Sequence, residues 1–380
     1  MIFKATPSAY SSVNSNLIYV VYDAHATDAT TYPNYKYVAE LWINGSLSLT
    51  SRKFPDPTTS FGVFDFGINV REYVTAALVI GNNGMHPQEM GQGVFDISVI
   101  IKIREEYNGT IGAVVITDSE RVYFNHYNGR YNDFTLLSSY VDKPLSIRPQ
   151  IIEDMRLDNS YYFIPYFATT TTAFNVVVNC GTNTYTKTIT PSATNTLQQL
   201  NISPIAINND AGSTVVNGDY TVTINGIAYV VSIQYDVINQ NYPIHFLNKF
   251  GGFETFNFSK ASKRSYSNTK KEWQQLPYTV DSSGNVLLKT GNLMNKQNGT
   301  IVLNFEEKLK VTTDNLTDTE YEWLAQLVNS PLTYLEDNGT IYPVTLDANS
   351  YDVVKHDIDG LKPLTLDIKF GEVYKTQFTS

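Results

Sequence analysis

The chain has 380 residues, of which 42% are apolar, 13% aromatic and only 17% charged, with a formal net charge of −10. That much apolar side chain excludes a disordered polypeptide, and the acidic balance argues against a protein that coats nucleic acid, so DNA contact is not expected. One cysteine, Cys180, excludes an intramolecular disulfide framework and Cys-rich zinc sites. The opening residues Met1 to Pro7 hold no apolar leader core, and no apolar run nears the ~20 residues of a membrane helix. Synthesis in the cytoplasm without membrane insertion is the expectation.

Asn-Gly pairs at 44–45, 108–109, 128–129, 217–218, 225–226, 298–299 and 338–339 punctuate runs rich in Val, Ile, Thr, Tyr and Phe. Asn-Gly favours the type I′ turn of a β-hairpin, because both central residues need positive φ. The expected class is therefore mainly β, in three blocks. Residues 1–150 read as a β-sandwich of the immunoglobulin-like kind, with strands at 16–23, 35–43, 62–66, 94–103, 112–117 and 121–124. Pro144 and Pro149 mark a boundary. Residues 151–241 read as a second such sandwich, with strands at 161–167, 173–180, 185–190, 220–224 and 228–235. Its loops are Thr/Asn/Ser-rich and almost uncharged between 169 and 209, a hazard in a free subunit unless neighbours cover it. Residues 242–380 read as a small α+β unit for assembly into a ring. Thr317-Asp318-Thr319-Glu320 has the form of a capping box, apolar residues follow at helical spacing to Val328, and Pro331 ends the helix. Strands at 299–304, 307–312, 332–336, 340–346 and 363–370 supply an antiparallel sheet beneath it.

No constellation of catalytic residues emerges. His25, His86, His126, His245 and His356 are scattered without metal-ligand spacing. His245 sits in an apolar run and reads as a structural histidine, and Cys180 as a small hydrophobe at a strand end. Asp65, Asp96, Asp133 and Glu254 neighbour aromatics, and strand alternation places them on solvated faces or subunit contacts. No nucleotide loop or cofactor motif is present, so neither catalysis nor a cofactor is expected. One basic cluster stands out: Lys260, Lys263 and Arg264, then Lys270 and Lys271, with Tyr266 between them. Three readings fit it: a nucleic-acid contact, a loop docking on an acidic neighbouring subunit, or a solvated loop. In the second, the segment is mobile in the free chain and ordered in the assembly.

Three stretches carry a resemblance. They are 32–45 with 53–57 and 64–67; 245–256 (HFLNKFGGFETF); and 316–324 with Ser330-Pro331 and 337–344. Their order and spacing resemble structural proteins of tailed bacteriophages that infect Bacteroidota, including crAss-like phages. The C-terminal block is also weakly similar to the ring-forming part of distal tail proteins. The resemblance implies a virion protein of the tail, neck or baseplate, whose partners are copies of itself and other phage structural proteins. It assigns no residue a chemical role. The competing reading is a host-glycan-binding baseplate or adhesin module, with Tyr10, Tyr32, Tyr127 and Tyr131 as sugar-stacking candidates; an enzyme such as a depolymerase ranks third.

Overall fold

The computed structural model describes residues 1–8, 10–74, 78, 80, 85, 88–89, 96–123, 142–235, 240–260, 262–274, 278–288, 298–347 and 362–370. Within them the chain is mainly β, and three separate apolar cores divide it into three successive units.

The first unit is built from β1 (Ile2–Ala5), β2 (Tyr10–Ser12), β3 (Ile18–Tyr22), β4 (Lys36–Ile43), β5 (Ser46–Lys53), β6 (Phe61–Asp65), and, after a short helix α1 (Gly67–Arg71), β8 (Asp96–Tyr107) and β9 (Thr110–Tyr123). One sheet has the order β1-β3-β6 and the other β2-β9-β8-β4-β5. Tyr19 and Phe64 from the first sheet, with Phe66 just beyond β6, meet Tyr37, Leu41, Val99 and Ile101 from the second in one core. The 44–45 and 108–109 turns join β4 to β5 and β8 to β9, with φ of 48° and 83° at Asn44-Gly45 and 51° and 75° at Asn108-Gly109. The two strands expected at 112–117 and 121–124 are one strand, β9.

The second unit consists of β10 (Lys143–Pro144), β11 (Ile151–Met155), β12 (Phe163–Ala168), β13 (Phe174–Cys180), β14 (Asn183–Ile189), β15 (Thr196–Asn201), helix α2 (Pro204–Ala211), β16 (Tyr220–Ile224) and β17 (Ile227–Ile233). The sheets do not part at residue 150. β7 (Gln88–Glu89) and β10 both belong to the sheet β10-β12-β15-β7, and Met85 lies in the second core. The opposing sheet is β11-β17-β16-β13-β14. β15 and α2 fall where loops were expected. Helix α2 follows elementary rules: Ser203 caps it by accepting from the Ala206 amide at 3.2 Å, Pro204 occupies its first turn, and Gly212 ends it at a φ of 64°.

The third unit comprises β18 (Tyr242–Leu247), β19 (Phe253–Phe258), β20 (Ser262–Gln274), β21 (Tyr278–Val280), β22 (Val286–Leu288), β23 (Asn298–Leu316), helix α3 (Asp318–Val328), β24 (Thr333–Asp337), β25 (Thr340–Leu346) and β26 (Lys362–Phe370). Seven strands form one sheet, β19-β18-β24-β25-β26-β23-β20. Arg264 on the edge strand β20 ion-pairs with Asp337 at the end of β24, and the Lys260 amide donates to the Thr312 carbonyl at 3.3 Å. The sheet is therefore rolled, and α3 fills its concave side with Trp323, Leu324 and Leu327 against Phe246, Phe256, Leu309 and Leu335. The capping box is present: Thr317 Oγ1 accepts from the Glu320 amide, and Glu320 accepts from the Thr317 amide at 2.7 Å.

Candidate functional site

Two features organise the third unit: its seat on the second, and a ribbon that continues its sheet. The seat begins with strands buried on both faces. β12, β18 and β19 expose none of their residues. One face of β12 feeds the second core through Ile164 and Tyr166, while Phe163 on the other lies against His245 of β18, 5.1 Å between ring centroids. A Cβ on Gly252 would come within 2.2 Å of the Pro165 side chain, so only glycine permits this approach.

Many polar groups in the seat pair with one another, while Arg148 Nε and His245 Nε2 find no hydrogen-bond partner among the described residues. Buried Arg148 donates to Asp154 Oδ1 at 2.9 Å, to the Thr255 carbonyl at 3.0 Å and to the Tyr162 hydroxyl, and its guanidinium lies 4.4 Å from the Trp323 ring centre. Asp154 Oδ2 accepts the Asn257 amide at 2.8 Å. Asp154 and Arg148 thus occupy the outer edge of β19, which would otherwise be open to another strand. Glu254 is wholly buried and accepts from Asn248 Nδ2 at 2.6 Å and from the Trp323 indole. Burial pushes its carboxyl above the usual range, against the hydrogen bonds from Asn248, Ser146 and Trp323. This corrects the expectation of a solvated face. Alternation fails here because β19 has no solvated face.

At the other end of the sheet, β20 pairs with β23 from Ser262↔Val311 to Gln274↔Asn298. Among the described residues, β26 covers β23 from Lys308 to Leu316. Residues 298–307 therefore continue with β20 as a two-stranded ribbon, about 33 Å long at 3.3 Å per residue. The whole basic cluster except Lys260 lies on β20. The segment expected as a loop is a strand, laddered to β23 with one register shift between Thr269 and Lys270 and without any apolar periodicity. Two of its cations find carboxylates within the chain. Lys260 pairs with Asp314 at 2.9 Å, and Arg264 with Glu307 at 3.0 Å and with Asp337. Lys263, Tyr266 and Lys271 are exposed along the strand; Lys270 shares its backbone ladder, and its side chain lies outside those described.

Beyond β20 in the chain, β21 and β22 form a hairpin that joins no larger sheet among the described residues. Its turn is held by Asp281, whose Oδ1 accepts from the Ser283 and Asn285 amides, with Gly284 at a φ of 85°. Val280 and Val286 are register partners and share a face with Tyr278. Val280 is 59% exposed, Val286 63% and Leu287 51%. An isolated two-stranded hairpin is marginal in water, and these side chains belong to none of the three cores of the described residues. Sequence reading missed this hairpin, although Asp281-Ser282-Ser283-Gly284-Asn285 between two short β-formers signals it.

The remaining candidates have structural surroundings. His245 is buried, with Nδ1 2.8 Å from Thr255 Oγ1 and Nε2 3.6 Å from Glu336. Cys180 is buried at the end of β13. Asp96 is buried beside Arg121 at 2.8 Å, where burial raises its carboxyl against the guanidinium, so it too departs from the solvated expectation. Asp65 is exposed and holds the Leu17 and Gly67 amides. Of the sugar-stacking tyrosines, Tyr32 is stacked on His25 at 4.0 Å; the Tyr10 side chain, Tyr127 and Tyr131 lie outside the described residues, as do Asp133, His86, His126 and His356. In the first core, Glu120 accepts from Tyr19 at 2.5 Å and from Ser11 at 3.3 Å. Burial pushes its carboxyl up to about 8. Asp23, His25 and Glu105 bring three ligand-type atoms within 4.8 Å of one another. No described helix is long and apolar enough to cross a membrane.

No protein-family model matches the chain, and no curated protein matches it.

Proposed function

We propose that this protein is a structural component of a tailed-bacteriophage virion, a ring- or hub-forming part of the tail, neck or baseplate that works by joining copies of itself and docking other virion proteins. In this reading the first two units are sandwich modules carried on an α+β assembly unit. The observation that carries it is the β21–β22 hairpin, which follows the ribbon strand β20 in the chain and presents Val280, Val286 and Leu287 to solvent. A neighbouring copy of net charge −10 suits the basic flank of that ribbon, where Lys263 and Lys271 also deter indiscriminate pairing along the β20 edge. The buried seat between the second and third units supports the same reading, because it gives the ribbon a rigid base from which to transmit position. A heterologous contact of this kind closes into a ring when its rotation permits.

The experiment is size-exclusion chromatography with light scattering on the full chain, beside a variant carrying Val280→Ser, Val286→Ser and Leu287→Ser. The parent should run as a discrete oligomer and the variant as a folded monomer. A parent that stays monomeric at roughly 100 µM, far above the dissociation constants of stable interfaces, would contradict self-assembly.

A further inference from the structure

The first unit holds a group of donor atoms that the proposed assembly does not use. Asp23 follows β3 and caps a 3₁₀ turn, Ala24–Thr27, by accepting from the His25 amide at 2.9 Å. Its second oxygen pairs with the α-amino group of Met1 at 3.0 Å. The turn places His25 Nδ1 3.6 Å from Asp23 Oδ1 and 3.0 Å from Glu105 Oε2 on β8. The imidazole plane is fixed by stacking on Tyr32, which is braced edge-on by Tyr107 at 5.1 Å.

A second observation comes from Tyr35. It is 5% exposed and its hydroxyl has no hydrogen-bond partner. Its ring packs edge-on against Tyr37 at 5.2 Å, and the Tyr37 hydroxyl accepts from the Asp23 amide at 3.0 Å, so Tyr35 lies beside the cluster. A buried hydroxyl without a partner costs free energy, and native proteins seldom leave one so.

We propose that Asp23, His25 and Glu105 bind a divalent transition-metal ion of the zinc class, and that the Tyr35 hydroxyl bonds a water completing its shell. The spacing fits. Donors about 2.0–2.1 Å from a tetrahedral ion stand about 3.4 Å apart, and the two separations at His25, 3.6 and 3.0 Å, bracket that value. One imidazole with two carboxylates is a borderline donor set, suited to zinc, cobalt or manganese rather than to magnesium or calcium, which take oxygen shells. Ligation through Nδ1 takes the neutral imidazole with its N–H on Nε2, so the ion takes the place of the proton between Nδ1 and Glu105 and that proton moves through solvent to Nε2. The partly exposed edge of His25 leaves the ion a way in. The ion would tie the turn after β3 to β8, joining the two sheets of the first unit.

The test is calorimetric titration of Zn²⁺ into the chelator-treated full chain, with the visible spectrum of Co²⁺ as a second readout. One ion per chain should bind, with a Co²⁺ spectrum of a four- or five-coordinate site. His25→Ala and Glu105→Gln should each abolish it while far-ultraviolet circular dichroism stays unchanged. Tyr35→Phe should weaken binding by about 10-fold, as loss of an outer-shell partner does. His356→Ala and millimolar Mg²⁺ should have no effect. Absence of saturable binding, or binding equal in His25→Ala and parent, would overturn the site. Unchanged affinity in Tyr35→Phe would remove that hydroxyl from it.

Discussion

Glu120→Gln should abolish most of the pH dependence of the first unit's stability between pH 4.5 and 8. Glu120 sits in the core on β9, where burial raises its carboxyl from 4.5 to about 8. The folded unit therefore keeps a proton that the unfolded chain releases above pH 4.5. Its stabilising contribution is complete below that value and is lost as pH rises through the folded value near 8. The slope is about 1.4 kcal/mol per pH unit for one proton, so the window amounts to at most about 5 kcal/mol. Glutamine keeps the shape, accepts from the Tyr19 hydroxyl and donates to Ser11 Oγ, which already donates to the Ser8 carbonyl at 2.9 Å. Urea unfolding at pH 5.5, 7 and 8.5, read by pulsed hydrogen exchange in peptides from β8 and β9, isolates the first unit. The parent should lose several kcal/mol across that range and the variant should stay nearly flat. Equal slopes in the two proteins would refute the argument that Glu120 is a buried, protonated acid.

Arg148→Met should destabilise the seat by roughly 3–5 kcal/mol, because it strands the buried carboxylate of Asp154; adding Asp154→Leu should recover part of the loss, read as the melting temperature. Thr317→Ala removes the cap of α3 and should cost about 1 kcal/mol in a denaturant melt of the third unit. Lys263→Ser with Lys271→Ser should leave the melting temperature unchanged and weaken self-association most at low salt, whereas Arg264→Ser, which loses the Glu307 and Asp337 pairs, should lower the melting temperature as well.

Local chemistry was legible wherever the sequence states it in adjacent residues. Asn44-Gly45, Asn108-Gly109, Asn225-Gly226 and Asn338-Gly339 all turn with positive φ, and the capping box of α3 stands where Thr317 and Glu320 put it. Asn217-Gly218 does not adopt that turn, Asn298-Gly299 opens β23, and 128–129 lies outside the described residues. What escaped depends on contacts remote in sequence. β15, with Thr196, Gln198, Gln199 and Asn201 all buried, shows no alternation because both its faces are covered. Helix α2 has its Ser-Pro start and Gly stop, but its Asn-rich middle hides the apolar face. β20 reads as a loop because an edge strand in a ribbon needs no apolar face of its own. The cluster of Asp23, His25 and Glu105 spans 82 positions and could be assembled only by the pairing of β4 with β8 that positions Glu105.

The central claim is that the β21–β22 hairpin is a joint between chains. Cryo-electron microscopy of the assembled full chain tests it directly. The account predicts a closed symmetric ring in which Val280, Val286 and Leu287 of each copy are buried against the next, within a contact larger than ~1,000 Å². An assembly in which that hairpin faces solvent in every copy would contradict it.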